Sequence, residues 1–465
     1  MAGLVAGALA GCAVGPDYVR PEAALPAALT RSPLPTAGTA GPVQDAWWTA
    51  FGSPALDRLV TDALSRSPTL EAAQATLRAA HENVVAQRGF FFPTVQAGLG
   101  NSRQNTGQSQ SANLASGDSL YTYHTAQLSV GYAPDIFGGN RRQVEGLMAQ
   151  EQGQRYQLEA ARLTLASNLV GAVLQAAMLA DQCRLTEQAV AAMQEQLRIM
   201  RNLQRSGYAS GIDVATQENL FTQLQQTLTP LQKQLEQTRN LVAVLGGRTP
   251  DTAGPELDLA SIRMPALPTI LPSDVVRQRP DIRIAETQAQ AASAAIGAAK
   301  AARLPQISLT AALGGGATRV ADMFSSGNVV WSLGAGLLQP IFDGGTLAAR
   351  QRAAQAQYDA SAAQYRSTVL GAFQNVADVL YALEVDDRAL RAAQASAAAT
   401  RTSFDLLQSQ LRQGYASQPA MLAAQQAWLQ SQAALVAAQG TMLGDAVALY
   451  QAAGGGVLAR EKDPG

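Results

Sequence analysis

Hydrophobic and polar residues alternate in four short stretches of this chain and recur at helical spacing through most of the rest. In "TAQLSVGY" the apolar Ala126, Leu128, Val130 and Tyr132 alternate with Thr125, Gln127, Ser129 and Gly131, the period expected of a strand with one apolar face. In "QISLTAALG" Ile307, Leu309, Ala311 and Leu313 alternate with Gln306, Ser308, Thr310 and Ala312. Segments opening at Thr94 and Val329 follow more loosely, the second with Trp331, Leu333, Ala335 and Leu337 on one side. Taken in pairs, the four predict two β-hairpins. Their links, 101–118 and 315–328, are rich in Gly, Ser, Asn and Gln, as exposed loops are.

From Arg141 to Ser206 no proline interrupts the chain, and Leu158, Leu165, Ala172 and Leu179 recur beside Leu169, Ala176 and Cys183. This predicts one helix of about 99 Å, at about 1.5 Å per residue, with Cys183 a packed residue on its apolar stripe. A second long helix is predicted from Leu347 to Gln413. Each ends at a "GYAS" turn, at Gly207 and at Gly414, and each is followed by a return helix, 212–245 or 418–452, only about 52 Å long. A helix from about Val275 to Arg303 and another from Pro68 to about Phe91 supply the missing lengths, and each leads into a strand.

The chain therefore reads as a duplication. The GYAS turns lie 207 residues apart, and Pro68 and Pro93 recur 212 residues on as Pro280 and Pro305. "DIFGG" from Asp135 likewise mirrors "PIFDGG" from Pro340. The organisation expected is a leader remnant at 1–11, a tether at 12–46 that is Pro-, Ala-, Thr- and Gly-rich from residue 21, a first repeat at 47–255 and a second at 256–465.

A net charge of −1 with 15% charged residues gives no basic footprint for nucleic acid. Cys12, Cys183, His81 and His124 are too scattered for a metal site or a Cys/His nucleophile pair. No metal, cofactor or catalytic residue is expected, and enzymatic chemistry is a distant alternative. No stretch has the roughly 18 uninterrupted apolar residues of a spanning helix; the best, Leu163 to Ala180, contains Thr164, Ser167, Asn168 and Gln175. The opening "MAGLVAGALAGC" resembles the lipobox of bacterial lipoproteins, without its basic n-region. That resemblance implies cleavage before Cys12 and a covalent lipid on it, S-diacylglycerol plus N-palmitoyl. Ala13 after the cysteine implies the outer membrane.

Four amphipathic strands cannot close a barrel, since the smallest transmembrane barrels have eight, whereas three copies supply twelve. An open edge in lipid leaves backbone polar groups unpaired at several kcal/mol each. The alternative is an ordinary small antiparallel sheet packed on helices.

Five runs carry a family resemblance: "CAVGPDYVRP" from Cys12, "WWTAFGSPALDRLVTDAL" from Trp47, "DIFGGNRR" from Asp135, "QPIFDGGTLAARQ" from Gln339 and "ALYQAAGGG" from Ala448. From Cys12 to about Gly456 the chain resembles the NodT-type outer-membrane lipoproteins of resistance-nodulation-division efflux systems, relatives of TolC. The resemblance implies an α+β membrane protein. Its long helical hairpins would form a periplasmic α-barrel, and four strands per protomer would enter a homotrimeric twelve-stranded β-barrel in the outer membrane. It also implies a periplasmic adaptor and an inner-membrane pump as partners, and passive export of small molecules. A conduit for type I protein secretion or metal export, or a lipid-anchored periplasmic structural protein, are the alternatives.

In that family the turn between the long and return helices is the periplasmic tip, where acids just after the turn close the pore. Asp213, with Glu218 beyond it, occupies such a place in the first repeat. The family's "V-L-D-A-Q-R" stands here as Met421-Leu422-Ala423-Ala424-Gln425-Gln426, so the acid is missing at Ala423, and Ala420 removes another. The gate expected is therefore Asp213 and Glu218 on one tip and Met421 and Leu422 on the other. Asp213 also reads simply as an acid favoured by a helix N-terminus.

Overall fold

The structure, a computed structural model, describes residues 13–23, 26, 28–30, 43–105, 120–252, 257–268 and 270–456. Cys12, the leader before it, much of the tether and most of the link between the first two strands lie outside the described residues. The elements run α1 (Pro54–Arg66), α2 (Pro68–Arg88), β1 (Thr94–Asn105), β2 (Leu120–Tyr132), α3 (Gly139–Arg205), α4 (Gly211–Leu245), α5 (Pro272–Gln278), α6 (Pro280–Ala301), β3 (Gln306–Ala317), β4 (Val329–Leu338), α7 (Thr346–Arg412) and α8 (Gln418–Ala452). Short 3₁₀ turns add Trp47–Phe51, Gly89–Phe91, Leu259–Ser261 and Val320–Asp322.

The long and return helices fall within a residue or two of where periodicity puts them. One helix does not. The single helix expected from about Val275 to Arg303 is two, α5 and α6, because Pro280 drives the residue before it out of the helical region. Arg279 is extended, at φ −74° and ψ 123°. The link expected at 315–328 also begins later, since β3 continues through Gly314, Gly315 and Gly316 to Ala317. A Cβ on Gly316 would lie 2.7 Å from Cζ of Tyr123, so glycine there makes room for the tyrosine ring rather than for a turn.

The described chain forms two compact units. The first holds residues up to 21, 76–154 and 285–365, including an antiparallel sheet in the order β1-β2-β3-β4. The second holds 22–75, 155–284 and 366 onward. Its core packs Trp47, Trp48 and Phe51 with α1, the buried face of α3 and the end of α8. Trp47 stacks on Tyr450, centroids 5.3 Å apart at 17°, and Tyr450 donates its hydroxyl to the Ala266 carbonyl at 3.1 Å. The glycines of "ALYQAAGGG" close this core: Gly454, Gly455 and Gly456 all have positive φ, which only glycine adopts without strain. A Cβ on Gly455 would also strike Leu163.

Among the described residues, α3 and α8 contain windows apolar enough to cross a membrane by length and composition. In α3, 56% of that window is buried inside the protein, where Leu169, Val170 and Leu174 belong to the core.

Candidate functional site

Two features of the fold remain unsatisfied by packing: the faces and edges of the sheet, and the turns at the ends of the long helices. In an antiparallel pair, residues directly opposite point to the same face. The register places Val95 opposite Val130 and Ala97 opposite Leu128, then Leu128 opposite Leu313 and Val130 opposite Ala311, then Leu313 opposite Trp331 and Ile307 opposite Leu337. The apolar sets of all four strands therefore merge into one face. Among the described residues most of that face is uncovered, apart from the end where Met323 and Phe324 lie against Gly315: Leu99, Trp331 and Leu333 are 87%, 70% and 75% exposed, more contiguous apolar surface than a water-facing sheet carries.

The opposite face is built of hydroxyls set against glycines. Thr94 faces Gly131 and Thr125 faces Gly100, and Thr310 faces Gly334 and Ser308 faces Gly336. A Cβ on Gly334 would come within 2.8 Å of the Thr310 hydroxyl, and one on Gly336 within 2.9 Å of the Ser308 hydroxyl. This face is thus thin, neutral and hydrogen-bonding. The cross-strand complementarity escapes a reading of single strands, because it exists only once register is set. β1 and β4 are the outer strands of the four, so each leaves a row of N–H and C=O groups available for pairing.

The turns end their helices in the same way. At the first, Gly207 has φ +79°, Tyr208 N–H donates to the Leu203 carbonyl at 2.8 Å and Gly207 N–H to Gln204 at 3.0 Å, a Schellman-type stop. At the second, Gly414 has φ +82° and Tyr415 N–H donates to Gln410 at 2.9 Å. The next helices differ at their starts. Ser210 caps α4 by accepting from Asp213 N–H at 3.2 Å, and Asp213 Oδ2 accepts in return from Ser210 N–H at 2.9 Å and from the Ser210 hydroxyl at 2.8 Å. Ser417 caps α8 from Ala420 N–H at 3.4 Å, but Ala420 has no carboxylate to complete the box. The hydrogen bond from the Ser210 backbone, with that from its hydroxyl, holds the Asp213 carboxyl below its ordinary range.

The predicted site residues are thus placed as follows. Asp213 is exposed and bonded to its own cap. Glu218, one helical turn and more along α4, pairs with Arg201 of α3 at 3.0 Å. Met421 is partly buried. Leu422 is only 5% exposed, so its side chain supports its hairpin, and of the two apolar tip residues Met421 carries the accessible surface. Tyr208 and Tyr415, 84% and 82% exposed, are the tip residues that periodicity did not single out, although the GYAS motif contains both. Sequence reasoning also missed a knot farther along the second hairpin. There Phe404 stacks on Trp428 at 5.5 Å and 6°, with the Arg401 guanidinium 4.4 Å from the Trp428 ring centre.

Known proteins share this architecture along nearly the whole chain. The sequence profile described as outer membrane efflux protein matches residues 59–247 and 271–455. The pyoverdine export outer membrane protein OpmQ of Pseudomonas putida is 31% identical over 91% of this chain and 90% of its own length. The probable efflux pump outer membrane protein TtgC of the same organism is 32% identical over 96% and 93%. Among solved structures, the outer-membrane channel OprN superposes with a TM-score of 0.85 at 27% identity, covering 96% of this chain and all of that one. The open-state MtrE outer membrane channel of Neisseria gonorrhoeae gives 0.83 at 26% identity, covering 96% and 99%. With an uncovered apolar sheet face, a thin polar one behind it and a family profile that matches in two successive blocks, this chain is a member of the outer membrane efflux protein family.

Proposed function

We propose that this protein is the outer-membrane conduit of a tripartite efflux system, working as a homotrimer whose three sheets pair edge to edge into a twelve-stranded barrel. The observation that carries the reading is the sheet itself. Its apolar face is exposed across all four strands, and its outer strands β1 and β4 each have an edge to offer. Lipid satisfies such a face, and only closure satisfies such edges. Four strands fall short of the smallest closed barrels, so additional copies must contribute. The hydroxyl and glycine face then lines the water path, where weak, neutral hydrogen bonding lets varied solutes enter and leave.

The long helices and their returns form the periplasmic part, and the two matched blocks are diverged copies of one unit. Solute moves passively, from a periplasmic adaptor and an inner-membrane pump that supplies the energy, through the barrel to the exterior. Relatives named for pyoverdine export, for antibiotic efflux and for toluene efflux support small molecules as cargo, and the pump selects among them. The tips bear the constriction, with Asp213 on the first and Met421 on the second. Cys12 carries the S-diacylglyceryl and N-palmitoyl groups and anchors each protomer to the outer membrane. The family's work is transport, and no catalytic role is assigned.

Purification in mild detergent tests this directly. The expected result is an SDS-resistant species of three chains that dissociates on heating and conducts ions in planar bilayers. A two-chain species would make an eight-stranded barrel and overturn the trimer; a monomer without conductance would overturn the channel.

A further inference from the structure

Residues after position 12 are strapped to the first unit by contacts that begin at residue 13. Val14 N–H donates to the Phe137 carbonyl at 3.1 Å. The Arg142 side chain, 6% exposed, donates to the Val14 carbonyl at 3.3 Å, to Asp17 at 2.9 Å and to Glu145 at 2.8 Å. Arg20 pairs with Glu286, its Nε 2.7 Å from Oε1. Ala13 lies directly against Gly138, which has φ +73° and where a Cβ would fall 2.6 Å from the Ala13 Cα. Only glycine permits both that backbone and that approach.

Gly138 separates two residues, Phe137 and Gly139, that line a cavity of about 450 Å³. Most of its wall is apolar, including Phe90, Ile136, Ala302 and Ile307, and Phe90 is 63% exposed. The remainder is a border of the amides of Gln87, Asn140, Gln143 and Gln306 with the Asp135 carboxylate, which already accepts from the Asn140 and Arg141 backbone N–H groups at 2.9 and 2.8 Å. Gln87 Nε2 donates to Asn140 Oδ1 at 2.6 Å and to Gln143 Oε1 at 2.6 Å, while the buried Asn140 Nδ2 has no acceptor among the described residues. An apolar cavity whose border is amide groups and a carboxylate already engaged by its own helix start suits a hydrocarbon chain ending in an ester.

We propose that this cavity receives one acyl chain of the diacylglyceryl group on Cys12, with the ester carbonyl at the Asn140 end. The proposal rests on the reading of Cys12 as lipidated. Proximity selects the occupant: consecutive Cα atoms are about 3.8 Å apart, so Cys12 is one such step from a residue packed on Gly138. The strap fixes where that step begins. The anchor is then seated in the protein as well as in the bilayer, and each protomer holds its own lipid at the root of its sheet.

Photocrosslinking in the full-length protein, purified from its own membranes, tests this. Intact mass comes first: a mature chain starting at Cys12 and carrying three acyl chains is expected, and an unacylated chain overturns the lipidation reading and this proposal together. In the acylated protein, benzoylphenylalanine placed at Phe90, and separately at Gln143, is expected to crosslink to the lipidated Cys12 peptide. Ala302→Phe, a substitution at an exposed position on the wall, is expected to lower that yield at least fivefold while the SDS-resistant oligomer persists. Crosslinks to phospholipid in place of the Cys12 lipid, no crosslink from either position, or an unchanged yield in Ala302→Phe would each overturn the seating while leaving lipidation intact.

Discussion

Asp213 and Ala420 sit at the same step of two matching helices, and the difference between them is one half of a capping box. Removing it in Asp213→Ala should loosen the first tip, and Ala420→Asp should tighten the second, both read as amide hydrogen exchange in the first turn of each return helix. The sign with pH follows from the carboxyl's depressed value. Its contribution is full above the ordinary carboxylate range, near 4, and is lost as pH falls through the lower folded-state value. The exchange difference between wild type and Asp213→Ala should therefore shrink below about pH 4; a difference that persists there would show that the charge is not involved. The same substitution tests the gate, since a pore held by Asp213 becomes leakier and conducts more when it is lost.

Asp445 behaves in the opposite direction. Burial, and a hydrogen bond shared with Asp386 across α7 and α8, push its carboxyl up to about 6. A raised folded-state value means that stability is full below the unfolded value near 4 and falls as pH rises through 6. Asp445→Asn should accordingly unfold at a higher temperature than wild type at pH 7.5 and at the same temperature at pH 4. Equal midpoints at both would remove the pair from the energetics. The Ser210–Asp213 cap is local, three residues apart, whereas the Asp386–Asp445 pairing is not visible along the chain, because the two meet only across two helices.

At the scale of elements, strands and helices were legible because their periods, 2 and 3.6, are written locally. Register was not, and it decides what the sheet does. Only with Leu313 set between Leu128 and Trp331 does a loose alternation in β4 become part of one apolar face. A charge there should act as it does on any lipid-facing strand. Leu333→Lys is expected to cost about 2–4 kcal/mol if the residue lies near the bilayer midplane and to reduce the folded, heat-modifiable protein in the outer membrane. Ser332→Lys, on the other face, should assemble and alter ion selectivity instead. Equal tolerance of both would place the sheet outside lipid. The break between α5 and α6 teaches a converse lesson: Pro280 is a helix-starting signal that was already in the sequence, and the apolar period on both sides of it hid the interruption at Arg279.

At the scale of the whole molecule, the two tip tyrosines are large amphipathic side chains left exposed by the described residues, which is what a docking surface offers a partner. Tyr208→Ala together with Tyr415→Ala should leave single-channel conductance intact and reduce efflux in cells, measured as drug accumulation. Loss of conductance as well would assign the tyrosines to folding of the tips, and unchanged efflux would take them out of docking.

The sequence alone determined where the four strands and the long and return helices lie, that each long helix turns back at a glycine, and that the chain looks like a family of outer-membrane exporters. Each of these depends on neighbours within a few residues or on motifs that stay contiguous. Tertiary structure alone decided which groups are already engaged. It bound Glu218 to Arg201, withdrew Leu422 into its hairpin, set hydroxyls against glycines across the sheet, and laid residues 13–20 beside the cavity at Phe137. Hydrogen bonds, burial and cross-strand fit join residues that are distant in sequence, so no local pattern records them.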